Sequence, residues 1–166
     1  DEVVGQEHLV GEHGVLRKLI HSKFLPSIIF WGPPGVGKTT LAHVLADNVD
    51  AYFESRSAVT SGLDDIRKVV KAAQERLDTE NKRTVLFLDE IHRFHKGQQD
   101  ALLPHVEKGT IILIGATTEN PSFEVNNALL SRSRVLVLKE LNAEHLNTLV
   151  TRALNIFNKE MSKNVQ

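Results

Sequence analysis

The 166-residue sequence sets twenty Lys and Arg against twenty-one Asp and Glu, a formal charge of −1, so no global basic field advertises nucleic acid, although an assembled ring still has room for a local patch. The absence of cysteine excludes a disulfide framework and a thiolate zinc site, and points to a reducing compartment. No apolar run reaches membrane-spanning length and no signal peptide is expected, while the length suits one domain with a real core. The start at Asp1 and the polar close over 158–166 lead us to expect a piece of a longer protein.

Residues 3–6 read as a short lead-in. Over 13–21, Val15, Leu16, Leu19 and Ile20 recur at helical spacing and predict an amphipathic helix. Pro26 ends that region, and the apolar run Ser27-Ile28-Ile29-Phe30-Trp31 predicts a buried strand. The motif Gly32-Pro33-Pro34-Gly35-Val36-Gly37-Lys38-Thr39 follows, and a helical pattern from Thr40 through Ala46 comes after it. This is the phosphate-loop pattern G-x-x-x-x-G-K-[S/T] between a strand and a helix, the context in which it has mechanical meaning. Its glycines let successive N–H groups curl toward one concavity, and the helix aims its positive end there. Lys38 is expected at the β- and γ-phosphates, with the Thr39 hydroxyl on magnesium.

Further along, 51–54 is a candidate strand. Ser61-Gly62-Leu63-Asp64-Asp65 provides breaker and cap before a helix over 65–77, and 78–83 reads as a charged loop. Residues 84–88 are β-branched or apolar without alternation, the mark of a strand covered on both faces. That strand runs into Asp89-Glu90. A carboxylate beside a phosphate loop serves magnesium, and Asp89 suits that role; Glu90 suits the polarisation of an attacking water. A helix over 98–107, a strand over 111–114, a loop through Asn120-Pro121 and a short helix over 127–130 follow. A strand over 135–138 and a helix over 143–157 complete the pattern. Five strands alternating with helices predict an α/β fold with a parallel sheet covered on both faces. In such sheets ligands collect at the carboxyl ends of the strands, where all of these groups lie. Thr117, with Thr118 and Asn120 behind it, ends one strand in groups able to hydrogen-bond a γ-phosphate or the water. Ser131-Arg132-Ser133-Arg134 offers arginines that are either solvated or presented to a neighbour's phosphate. His92, His95 and His105 lack the spacing of a metal site, and Asp89-Glu90-Ile91-His92 imitates a helicase box without room for a second helicase lobe.

Taken together, Val4-Gly5-Gln6-Glu7-His8-Leu9, the phosphate loop, Asp89-Glu90-Ile91-His92-Arg93-Phe94, Gln98-Gln99-Asp100, Leu103-Pro104-His105-Val106-Glu107 and the stretch from Gly115 to Phe123 resemble the RarA (MgsA) family. These are AAA+ ATPases of the clamp-loader branch, related to the Werner-helicase-interacting protein. The segment from Ser57 to Gly62 resembles the bacterial version, whereas Arg56 stands where an apolar residue is usual and His95 where asparagine is. The resemblance implies a P-loop AAA+ core over 1–141 and the start of a helical lid with a polar tail over 142–166. The remaining lid, with a sensor-2 arginine, and an oligomerisation region would lie beyond. It makes Gly32 to Thr39 the Walker A loop with Thr40 next to it, and Asp89 and Glu90 the Walker B acids. Thr117 falls at sensor 1, and Val3, Val4 and Gly5 match the segment that lies near the adenine. Arg132 falls at the finger of a Ser-Arg-Cys motif that here reads Ser131-Arg132-Ser133, with Arg134 as competitor. It further implies ATP as substrate, Mg2+ as cofactor and a homo-oligomer. Its partners would be DNA at stalled forks, ends or single-strand gaps, and single-stranded DNA-binding protein, in the bacterial cytoplasm at the nucleoid. Two other readings compete. A nucleotide-gated scaffold without turnover is expected to have lost Lys38, Glu90 or the finger; a small-molecule kinase needs an acceptor pocket that the sequence does not display.

Overall fold

The computed structural model describes residues 3–163. Five parallel strands, β1 (Ser27–Trp31), β2 (Tyr52–Ser57), β3 (Thr84–Asp89), β4 (Ile111–Thr117) and β5 (Ser133–Val137), form one sheet in the order β2-β3-β4-β1-β5. The helices are α1 (Glu7–Val10), α2 (Val15–Ser22), α3 (Lys38–Asn48), α4 (Leu63–Glu80), α5 (Lys96–Glu107), α6 (Pro121–Glu124), α7 (Asn127–Ser131) and α8 (Ala143–Lys163), with a 3-10 turn over Ile91–Arg93.

Successive side chains of a strand point to opposite faces, and the continuous apolar runs follow that rule. Ile28, Phe30, Val85 and Phe87 pack with Leu16, Leu41 and Leu45 of α2 and α3 on one face. Ile29, Leu86, Leu88 and Leu113 pack with Ile66 and Val69 of α4, Leu102 of α5 and Leu129 of α7 on the other. The result is the α/β/α sandwich expected from the sequence. Each fully buried Leu, Ile or Phe contributes about 1.5–3 kcal/mol, so the middle strands are held from both sides.

Several boundaries differ from expectation, each for a physical reason. The strand expected over 51–54 runs to Ser57, because its backbone pairs with β3 as far as Ser57 beside Asp89. The charged loop expected over 78–83 is in part the last turn of α4. There Gln74 donates to Asp78 and Thr79 to the carbonyl of Glu75, and Asn81 at φ 51° ends the helix. The strand expected over 111–114 continues through Thr117, paired with β1 to Trp31. The polar tail expected from 158 is helical to Lys163. α8 begins at a reciprocal cap in which Asn142 Oδ1 accepts from His145 N and His145 Nδ1 accepts from Asn142 N. None of its residues is buried; Leu146, Leu149, Val150, Leu154, Phe157 and Met161 are exposed along it. Among the described residues no helix is long and apolar enough to cross a membrane.

Candidate functional site

The carboxyl ends of β1, β4 and β5 are level, with Trp31 beside both Thr117 and Val137. The chain leaves β1 into the loop 32–37 at that edge. Gly35 and Gly37 take φ values of 77° and 99°, left-handed conformations that non-glycine residues avoid. Gly32 is confined for another reason: a Cβ there would stand 2.8 Å from the carbonyl oxygen of Leu138. The loop turns straight into α3, whose first residue is Lys38.

A cleft of about 470 Å³ opens over this loop, a size suited to a small ligand. Its floor is Pro34, Gly35, Val36, Gly37, Lys38, Thr39 and Thr40; Asp89, Glu90 and Thr118 come in from β3 and β4, and Val3, Val4, Leu141 and Leu149 make an apolar wall. The residues singled out for phosphate, metal and water thus converge from separate parts of the chain. Gly32 and Pro33 line a neighbouring depression with Trp31, Thr118 and Leu138. Lys38 Nζ donates to the carbonyls of Gly32 and, at 3.1 Å, Pro33. Partial burial holds its amine below the ordinary lysine value, while Asp89 and Glu90 pull it back up. A cation that has lost water and faces an open cleft is prepared to receive an anion. Glu90 sits at φ 53° with its N–H donating to Asp89 Oδ1, a left-handed backbone that costs about 1–3 kcal/mol and recurs at functional sites. Thr39 and Asp89 supply one hydroxyl and one carboxylate to the same cleft. That sparse oxygen set fits magnesium, which keeps waters and substrate phosphates as its other ligands.

Of the other expected residues, some line the cleft and some stand apart from it. Thr117 is buried and its hydroxyl contacts His92 Nδ1 at 2.9 Å and accepts from Glu119 N; its neighbour Thr118 lines the cleft instead. Asn120 caps α6, its Oδ1 accepting from Ser122 N. Val4 lines the cleft, whereas Gly5 lies under Leu141 and His145. Arg132 is at the opposite end of the sheet, because Ser133 pairs with Ser27 where β1 begins. There its guanidinium is 3.0 Å from Glu107. His95 forms a reciprocal cap with Gln98 at the start of α5, where its ring does the work of an ordinary capping side chain.

One contributor escaped the sequence. Gln6 is buried at φ 59°; its Nε2 donates to the Lys139 carbonyl at 2.7 Å and its Oε1 accepts from Lys139 N at 2.9 Å. Nε2 also lies 3.4 Å from the Val36 carbonyl of the loop. One amide therefore joins the lead-in, the phosphate loop and the segment after β5. Its sequence signal is a glutamine within the stretch Val4 to Leu9, which gives no hint of a partner 133 residues away.

Comparison with known proteins adds one family match, two relatives and two solved structures. The model of the ATPase family associated with various cellular activities (AAA) matches residues 28–142. The chain is 54% identical over 155 residues to replication-associated recombination protein A of Haemophilus influenzae, covering 93% of the chain and 34% of that protein. It is 50% identical over 155 residues to ATPase WRNIP1 of Dictyostelium discoideum, covering 93% of the chain and 18% of that protein. Among solved structures it is similar to a Thermotoga maritima RuvB variant, at a TM-score of 0.76 and 28% identity, over 95% of the chain and 53% of that one. A second RuvB structure from the same organism, titled a Holliday junction branch migration motor, matches at a TM-score of 0.70 and 27% identity, over 93% of the chain and 52% of that one. The chain spans about a third of the length of the replication-associated recombination protein A relatives.

Proposed function

The chain belongs to the ATPase family associated with various cellular activities, in the group of replication-associated recombination protein A. On that premise we propose that it is the ATP-binding and hydrolysing core of a protein that acts on DNA at stalled replication forks. The observation that carries the nucleotide chemistry is the cleft uniting residues 34–40, Asp89, Glu90 and Thr118 beneath the apolar wall of Val3, Val4, Leu141 and Leu149; the DNA part is supported by the likeness to replication-associated recombination protein A.

In this reading the apolar wall takes the adenine, and the loop amides with Lys38 take the phosphates. Thr39 and Asp89 would hold magnesium, which when bound neutralises phosphate charge. Glu90 orients the attacking water and accepts its proton. Thr117, buried at the end of β4 beside the cleft-lining Thr118, senses the γ-phosphate once this strand end shifts toward the bound nucleotide. Arg132 lies too far along the sheet to serve its own cleft, so it completes a neighbour's, where it stabilises transition-state charge. This requires a homo-oligomer. Residues up to 141 form the core, and α8, with its uncovered apolar stripe, opens a helical lid. Single-stranded DNA-binding protein is the proposed partner at the fork.

The test is Mg-ATP turnover by the intact polypeptide with and without forked or gapped DNA. Turnover that rises with such DNA, and less with intact duplex, is the expected result. Turnover indifferent to every DNA structure would overturn the fork assignment, and binding without any turnover would favour a nucleotide-gated scaffold.

A further inference from the structure

His92 lies on the turn that follows Asp89 and Glu90, and no role in the cleft has yet been given to it. Its Nδ1 is 2.9 Å from Thr117 Oγ1, and Thr117 is 1% exposed at the end of β4. The same hydroxyl accepts the Glu119 N–H at 3.0 Å and lies 3.3 Å from the Glu119 carbonyl. A threonine hydroxyl has one proton to give and two lone pairs to offer, and the Glu119 N–H occupies one lone pair.

Two arrangements satisfy the remaining contacts. With Nδ1 bare, the Thr117 proton is spent on His92. With Nδ1 carrying the hydrogen, His92 fills the second lone pair and the Thr117 proton is left to the longer, weaker contact with the Glu119 carbonyl. Only this second arrangement leaves a proton that can turn to a phosphate oxygen without breaking a good hydrogen bond. Thr118, the next residue, already lines the cleft, so a modest movement at this strand end bears directly on the bound ligand.

The geometry points to His92 as the positioning residue for Thr117: its Nδ1–H holds the hydroxyl by a lone pair and frees the hydroxyl proton for the γ-phosphate. The contact also ties the turn next to Glu90 to the end of the neighbouring strand, so the water-orienting and phosphate-sensing groups are set together. This inference rests on the reading of Thr117 as the phosphate-sensing group.

The test compares His92→Ala, His92→Asn, Thr117→Val and the double variant His92→Ala/Thr117→Val in the intact polypeptide, by steady-state Mg-ATP turnover and by melting temperature. Asparagine is informative because its Nδ2 stands near the place of Nδ1 and donates from it. Losing one such hydrogen bond in the transition state lowers kcat by about tenfold. We expect His92→Ala to show that fall with KM little changed, His92→Asn to recover most of it, and the double variant to be no slower than Thr117→Val. An unchanged kcat in His92→Ala, no recovery with asparagine, or losses that multiply in the double variant would each overturn the role of His92. A parallel loss of melting temperature and turnover in both His92 variants would assign it to the fold instead. Full turnover in Thr117→Val would overturn the sensing role itself, a different failure from the first.

Discussion

At Lys38, stability and ligand binding pull in opposite directions. Burial lowers its amine below the ordinary value, more than Asp89 and Glu90 restore. A lowered lysine value means that the charged form is less favoured in the fold than in the unfolded chain. The penalty is present at neutral pH and fades as pH rises through the lowered value. Replacing Lys38 with Met removes this penalty together with the hydrogen bonds to the Gly32 and Pro33 carbonyls, so the melting temperature of the nucleotide-free protein should change little, while the upward shift expected of the wild type with Mg-ATP is abolished. Thermal melts with and without Mg-ATP check both halves. A marked fall without nucleotide, or a persistent shift with it, would contradict this account of the loop. His95 makes a related point at one position. Nothing in the sequence marks it as a cap, yet its Nδ1 accepts from Gln98 N as an asparagine oxygen would.

Among the elements, α5 is braced by a buried amide. Gln99 Nε2 donates to the carbonyls of Phe94 and Glu124, and its Oε1 accepts from Asn126 N. This fixes α5 against α6 and α7, the elements that lead to Arg132. Gln99→Leu leaves those backbone groups without a partner and should cost about 2–4 kcal/mol in urea unfolding; no measurable loss would contradict the bracing role. Such contacts mark the limit of what the sequence discloses. The strands β1, β3 and β4 were legible because burial on both faces demands continuous apolar runs, seen in Val85, Leu86, Phe87 and Leu88. β2 was half legible, since Glu54 and Arg56 have no strand signature and are held extended by pairing with β3. The end of α4 was read as a loop because charged residues on a solvated face resemble one. In the site, the phosphate loop and the acid pair were legible because their chemistry sits in consecutive residues. The Gln6 to Lys139 pairing and the wall from Leu141 and Leu149 were not, because they depend on chain segments brought together only by the fold.

For the whole molecule, the placement of Arg132 sets the main consequence. It is separated from its own cleft by the length of β1, on the order of 13 Å at the usual rise per residue, and is paired with Glu107. If Arg132 serves a neighbour, mixing an Arg132→Ala variant with a Glu90→Gln variant should restore part of the turnover that each lacks alone. Each mixed interface that sets an intact Glu90 against an intact Arg132 would be active. Mixed oligomers that form and stay inactive at every ratio would rule out action across a subunit boundary. The most direct test of the central claim, that this cleft binds and hydrolyses Mg-ATP with Glu90 as the water-orienting group, is one paired measurement on Glu90→Gln in the intact polypeptide: calorimetric Mg-ATP affinity beside phosphate release. The amide keeps the shape of the carboxylate but cannot take the proton, so affinity should be retained while turnover falls by about 10²–10⁴. Undiminished phosphate release, or affinity lost together with it, would contradict the account.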